Sequence, residues 1–223
     1  IIAARMGSSR FKGKTLADLY DKPMIERLIE RINFSKKIDE IIVATTSNKE
    51  DDNLQKWCKK ANIKCFRGSS EDVLGRLKNS ATEYNAEIIV EILGDNPLVH
   101  SDLIDACIEK YKNGTSDYVA TLTNEYPKSD IYMKKFPIGV RVQVFGINTL
   151  IKCEQLAQAN IYREHATSFI AHNPDTFSTS FIEASSDFIE LNRPELTFAV
   201  NHFENLELIK FIFKNCYNNN NNF

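Results

Sequence analysis

The chain of 223 residues is short of most features that announce a function at once. It holds one tryptophan, six prolines and eight glycines, and its five cysteines (Cys58, Cys65, Cys107, Cys153, Cys216) are scattered, odd in number and form no C-x-x-C. A disulfide framework or a zinc site therefore has no support, and a reducing, cytoplasmic setting is the better fit. No apolar run approaches the roughly 20 residues of a membrane span, and no signal peptide is visible. A net charge of −2 gives no general attraction to nucleic acid or to anionic membranes. Neither G-x-G-x-x-G nor G-x-x-x-x-G-K-[ST] occurs, so the two best-known phosphate loops are excluded. No Ser-His-Asp or Cys-His spacing stands out, which leaves covalent catalysis unsupported.

What is present is an ordinary globular composition, 43% apolar and 26% charged, on a length that fits one large domain. Strand and helix patterns alternate through the first half. Ile1 to Ala4, Ile41 to Ala44, Ile63 to Phe66 and Ile88 to Leu93 read as buried strands, the first short of a residue or two at its start. Helical spacing separates them: Met24, Ile25, Leu28, Ile29 and Ile32 after Pro23; Leu54, Trp57 and Cys58 after the cap Thr45–Asn48; a third helix from Glu71; a fourth capped by Ser101. This predicts a parallel sheet with helices on both faces. Tyr118 to Leu122 is a fifth strand. Val140 to Val144 alternates strictly, the mark of a half-exposed strand, and points to an antiparallel part, with residues 123–146 a possible arm. Leu150–Ala159 and Tyr162–His172 read as helices, Phe177–Ile182 and Leu196–Val200 as strands, and Leu206 to Ile212 as a closing helix. Residues 1–217 thus form one domain, and the Asn-rich tail 218–223 is expected to be disordered.

The first fourteen residues carry the densest chemistry. The leading strand empties into a loop with Gly7, Ser8, Ser9 and Gly13 and the cations Arg5, Arg10, Lys12 and Lys14. Glycines let amide N–H groups converge on an anion, arginine offers a planar fork to phosphate oxygens, and lysine a mobile point charge. Such a loop between strand and helix either holds a polyphosphate at the strand's carboxyl end or is a solvated basic turn. Asp95, on the Gly94-Asp95-Asn96-Pro97 turn after a strand, either holds Mg²⁺ against a triphosphate or makes an Asx-turn. In Glu71–Arg76 the acids suit a helix N-terminus, but Gly75 is poor inside a helix by about 1 kcal/mol and points to close approach by a neighbour. Arg163 and His165 are either sugar ligands or structural residues; a histidine there can exchange protons near pH 7.

The string R-M-G-S-S-R-x-x-G-K at 5–14 resembles the nucleotide-binding signature of the sugar cytidylyltransferases, within them the spore-coat polysaccharide branch related to the synthetases of CMP-activated acidic sugars. G-D-N-P-L at 94–98, G-S-S-E-D-V-L-G-R at 68–76 and R-E-H-A-T at 163–167 are similar to segments of that branch. The resemblance implies a nucleotide-diphospho-sugar-transferase-like (Rossmann-like) three-layer α/β sandwich with a mixed, mainly parallel sheet. It implies CMP transfer from CTP to a sugar, an acidic one by the same likeness, for surface polysaccharide or glycoconjugate synthesis, with Mg²⁺ as cofactor. Lys14 and Arg5 take the catalytic positions; Ala3, Ala4, Gly7, Ser8, Ser9, Arg10 and Arg76 border the nucleotide. Asp95 and, weakly, Asn201 hold the metal; Asn96, Arg141, Gln143, Arg163 and His165 border the sugar. By analogy the 123–146 segment joins a homodimer. Arg141, Gln143 and Asn201 replace acids that relatives carry, which implies either an unusual sugar or lowered turnover. A nucleotide-binding protein without catalysis and a nucleotide-sugar glycosyltransferase are the rival readings; the second normally carries D-x-D, absent here.

Overall fold

A computed structural model describes residues 1–126, 133–165 and 167–217. The chain runs through β1 (Ile2–Ala3), α1 (Met24–Ile32), β2 (Ile42–Thr46), α2 (Asp52–Lys60), β3 (Lys64–Gly68), α3 (Val73–Glu83), β4 (Ile88–Leu93) and α4 (Ser101–Asn113). It continues through β5 (Tyr118–Thr121), β6 (Gln143–Gly146), α5 (Ile147–Leu156), α6 (Asn160–Glu164), α7 (Ser168–His172), β7 (Thr179–Ile182) and α8 (Phe203–Cys216). The strands make one seven-stranded sheet in the order β3-β2-β1-β4-β6-β5-β7. Pairing is parallel throughout except at β6, which runs antiparallel to both β4 and β5.

Each face of the sheet is covered because its strands are apolar on both sides. Val90 and Ile92 of β4 join a cluster with Ile25, Leu28, Leu103 and Ile104 of α1 and α4, while Ile89 joins Leu74, Leu77, Leu150 and Ile170 of α3, α5 and α7. Burying each such aliphatic side chain contributes about 1.5–3 kcal/mol. A third cluster, with Leu19, Leu98, Leu206, Ile209 and Phe213, seats α8 near the loops that follow β1 and β4. The order reverses between β1 and β4: β2 and β3 lie outward on one side of β1, and the chain returns to place β4 on the other. In open α/β sheets the crevice at the strands' carboxyl ends, beside such a reversal, is where ligands bind. Among the described residues no helix is long and apolar enough to cross a membrane.

Several expectations change. Ser101 is the first helical residue rather than the cap; His100, left unassigned by the sequence, caps α4 through Nδ1, which accepts the Asp102 N–H at 3.2 Å. Val140–Val144 is not half-exposed: the alternation is of apolar with polar side chains, yet Val142, Gln143 and Val144 are all buried, with Thr167, between α6 and α7, donating its hydroxyl to Gln143. The helix expected over 162–172 breaks at His165 into α6 and α7. Leu196–Val200 forms no strand, only a single bridge between Ile138 and Thr197. Of the possible arm at 123–146, the stretch 143–146 is a strand in the middle of the sheet and Phe136, Val140 and Val142 lie in the core, whereas 127–132 falls outside the described residues. The tail 218–223 falls outside them too.

Candidate active site

The loop after β1 is shaped from behind by a buried acid. Asp51 is fully buried, and its carboxylate accepts the Met6 N–H at 2.6 Å and the Thr46 hydroxyl. The Met6 carbonyl then takes the N–H groups of Ser8 at 3.0 Å and Gly13 at 2.9 Å, closing residues 6–13 into a ring. Gly13 supports this with φ +77°, a left-handed conformation that favours glycine. Ser8 Oγ accepts from Phe11 N, and Thr15 Oγ1 donates to the Arg5 carbonyl at 2.9 Å. Among the described residues, the N–H groups of Gly7, Ser9, Arg10 and Lys12 have no protein acceptor. Open amides on a turn that also carries exposed Arg5 and Arg10 can receive an anion, and the Glu50 carboxylate stands against the turn at Gly7, where a Cβ would lie 1.9 Å from its Oε1.

The loop after β4 meets this turn. Gly94 N donates to the Ala3 carbonyl at 2.9 Å, and a Cβ on Gly94 would lie 2.7 Å from that of Ala4, so glycine is what lets the two strand ends touch. Asp95 is thereby placed against Lys14, whose Nζ donates to Asp95 Oδ2 at 2.9 Å and to the Val200 carbonyl at 2.6 Å. Val200 N in turn donates to the Asp95 carbonyl at 2.8 Å. Arg10 Nη2 donates to Asn201 Oδ1 at 3.1 Å, and Asn205 holds the backbone N–H groups of Asn201 and His202 at the start of α8. Lys14, Arg10, Asp95 and Asn201, which come from three distant parts of the chain, share one place.

A cavity of about 420 Å³ opens beside them. Arg10, Asp95, Asn96 and Asn201 border it, and so do Arg141, Gln143 and His165. Gln143 is already engaged: its carbonyl oxygen accepts from Tyr118 (2.5 Å) and Thr167 (2.6 Å), and its Nε2 donates to Glu91 Oε2 at 3.0 Å. Only a remaining N–H is left for a sugar. Glu91, paired in register with Gln143 across the sheet, borders the same cavity and is not among the residues singled out from the sequence. Burial pushes its carboxyl above the ordinary range, against the opposing pull of the nearby Arg141 charge. The available signal was an acid inside the apolar run Ile88–Leu93.

Two other arginines lie elsewhere. Arg163 does not border the cavity; its guanidinium binds the Asp72 carboxylate, Glu154 Oε1 at 3.0 Å and the Glu154 carbonyl at 3.0 Å. Asp72 is the N-cap of α3, accepting the Gly75 N–H at 2.8 Å. Gly75 is explained by the same contact, since a Cβ there would sit 2.2 Å from Asp72 Oδ2 and 3.1 Å from Arg163 Nη2. The R-E-H segment therefore divides its work: Arg163 pins α6 to α3 and α5, and His165 borders the cavity. Arg76 is 4% exposed and donates to the Ser69 carbonyl at 2.5 Å. Burial and then the Arg5 charge weaken its hold on a proton, and it does not border the cavity. A second hollow of about 390 Å³, beside Glu87, Ile88 and Lys112, lies at the opposite ends of the strands and holds none of these groups.

A reversed-strand α/β sheet with a basic glycine-serine turn and an acidic turn at its switch point places both turns in the ligand crevice of an open α/β sheet, and solved nucleotidyltransferases share this fold. The comparisons narrow the class. The cytidylyltransferase family model matches residues 1–212, and the chain belongs to that family. It is 39% identical over 183 residues to the uncharacterized protein MJ1063 of Methanocaldococcus jannaschii, a match covering 82% of this chain and 70% of that one. It is 30% identical over 219 residues to the spore coat polysaccharide biosynthesis protein SpsF of Bacillus subtilis, covering 96% and 85%. The match to the 3-deoxy-manno-octulosonate cytidylyltransferase of Thermodesulfovibrio yellowstonii is 34% over 136 residues, 58% of this chain and 53% of that enzyme. The solved structure of a cytidylyltransferase from Leptospira borgpetersenii superposes with a TM-score of 0.85 at 26% identity, covering 97% of this chain and 86% of that one.

Proposed function

We propose that the protein transfers CMP from CTP to a sugar: a sugar hydroxyl oxygen bonds to the α-phosphorus and gives up its proton to solvent, the bond to the β-phosphate oxygen breaks, and pyrophosphate leaves. The observation that carries this reading is the junction of the open-amide basic turn with the Lys14–Asp95 pair beside a sugar-sized cavity. Amides of Gly7, Ser9 and Arg10 receive phosphate oxygens, with Arg5 and Arg10 as charged forks. Lys14 is already aimed by Asp95 and Val200, so it needs little reorganisation to meet charge developing on the phosphates. Ala3 and Ala4 lie where the nucleotide's base borders the sheet, and the cavity floor receives the sugar. The work is positioning and charge neutralisation.

The donor set also fits Mg²⁺, which takes one or two carboxylates and completes its shell with substrate phosphates and water. Asp95 Oδ1 has no protein partner among the described residues, and Asn201 Oδ1, which here accepts from Arg10, would supply a neutral oxygen once Arg10 turns to phosphate, so these two would hold the ion. When bound, Mg²⁺ neutralises phosphate charge. The test is pyrophosphate release from CTP and Mg²⁺ with a panel of sugars, the product identified by mass as the CMP-sugar. CTP binding with no release on any sugar would favour a nucleotide-binding protein, to which the substitution of Asn201 for an acid lends weight. Release of CDP or UDP instead would mark a glycosyltransferase.

A further inference from the structure

Two consecutive acids on the turn after β2 meet the basic turn in different ways. Asp51 is buried and holds the Met6 N–H, whereas Glu50 is exposed and reaches Gly7. A Cβ on Gly7 would lie 1.9 Å from Glu50 Oε1 and 2.7 Å from its Cδ. Unlike Gly13, Gly7 is not in the left-handed region, so glycine serves here to leave room for the acid rather than to satisfy φ.

The backbone that carries Glu50 is fixed on both sides. Arg67 donates to the carbonyls of Thr46 at 2.8 Å and Asn48 at 2.7 Å and to Asp52 Oδ1 at 2.6 Å, and Asp51 is tied to Met6. The Glu50 side chain has no such hold: among the described residues its carboxylate accepts no hydrogen bond and forms no ion pair. It rests instead against a turn with open amides at Gly7, Ser9, Arg10 and Lys12 and the exposed cations Arg5 and Arg10. Converging amides and cations attract a carboxylate as they attract a phosphate. The Gly7 Cα is bonded to the nitrogen that offers its N–H, so a phosphate taken there meets Glu50 at close range, where like charges repel.

We infer that Glu50 is a built-in competitor of the phosphates: it stands in the basic turn of the free protein, sets the affinity of that turn for polyphosphate, and swings out when CTP enters. This rests on the reading that the basic turn is the triphosphate site. The same charge weakens the hold on the pyrophosphate left after CMP transfer, so Glu50 lowers product inhibition together with substrate affinity. Asp51 does the opposite work, keeping the amides in place while the side chain next to it moves.

The experiment titrates the full chain calorimetrically, in Mg²⁺, with CTP and separately with inorganic pyrophosphate, in the parent, Glu50→Gln and Glu109→Gln. Glu109, paired with Lys37 towards the opposite ends of the strands, loses the same charge away from the turn. Glu50→Gln keeps the side chain's shape, and its urea midpoint is expected to equal the parent's, since Glu50 is exposed. It binds both ligands about 5- to 30-fold more tightly, as expected when a unit charge is removed at short range from a multiply charged ligand. The gap narrows as KCl approaches about 1 M, where the Debye length is about 3 Å, a response that altered packing would not give. Glu109→Gln matches the parent. Equal or weaker binding in Glu50→Gln, a gap that salt leaves unmoved, or equal tightening in Glu109→Gln overturns the role of Glu50 and leaves the turn as the phosphate site. Binding of neither ligand to any of the three proteins overturns both.

Discussion

Replacing Gly75 by alanine sets two effects of opposite sign against each other. Alanine inside a helix is favoured over glycine by about 1 kcal/mol, so propensity alone makes α3 more stable. The new Cβ, however, lands 2.2 Å from Asp72 Oδ2 and 2.8 Å from Asp72 Cγ, so that carboxylate has to move. Its departure breaks the cap bond from Gly75 N at 2.8 Å, worth about 1 kcal/mol and up to about 2. It also loosens the ion pair to Arg163, whose partners are 20% and 33% exposed and which therefore adds at most about 1 kcal/mol. The losses exceed the gain by about 1 kcal/mol. Urea unfolding followed by circular dichroism should show a lower midpoint at unchanged slope, with Tm down by about 2–4 °C. Because Asp72 is shared, Asp72→Ala and Gly75→Ala combined should cost less than their sum. The acceptor KM should rise through the loosened α6, with CTP affinity retained. A Gly75→Ala protein more stable than the parent would refute the reasoning, for it would mean that Asp72 and Arg163 hold nothing in place.

Lys14→Ala should cut pyrophosphate release by about 100-fold or more, and it should also cost about 1–3 kcal/mol in urea, since Asp95 and the Val200 carbonyl lose their donor. Gly139→Ala should be among the most damaging single changes: φ is +102° and the added Cβ would sit 2.3 Å from Ala199 N, so either the strand end or the 198–199 segment must shift, which a thermal melt will register. Glu91 carries a pH signature. Burial raises its carboxyl in the fold above the ordinary 4.5, so the native state holds that proton more tightly and stability falls as pH rises above about 4.5. Glu91→Gln should flatten that slope and gain on the parent as pH rises; parallel profiles would show that Glu91 is not the group responsible.

What was legible from sequence is what is local. The basic turn at 5–14 and the Gly94–Leu98 turn are contiguous strings, and their meeting follows from β1 and β4 being neighbours at the sheet's reversal. What was illegible depends on partners far along the chain. Asp51 sits in the acidic stretch Glu50-Asp51-Asp52, which reads as a solvated helix start, yet it folds inward because the Met6 N–H, 45 residues away, needs an acceptor. Arg163 sits beside His165 in one motif, but the helical turn between them aims it at Asp72 rather than at the cavity. The alternation at 140–144 signalled one wet face; that face instead lines the cavity bordered by the 165–172 segment, which no local pattern states. Leu196–Val200 has strand-like composition but reaches only Ile138, so it serves to carry Val200 to Lys14 and Asp95 instead of extending the sheet.

Calorimetric titration of CTP with Mg²⁺ into the parent and into an Arg5→Ala, Arg10→Ala double variant bears most directly on the basic turn as the triphosphate site. Both side chains are exposed, so the fold should survive their loss. The parent should bind CTP, and the double variant should bind it about 100-fold more weakly, as expected for two lost charge-assisted forks. Equal affinity in the two proteins would contradict the assignment and place the triphosphate elsewhere.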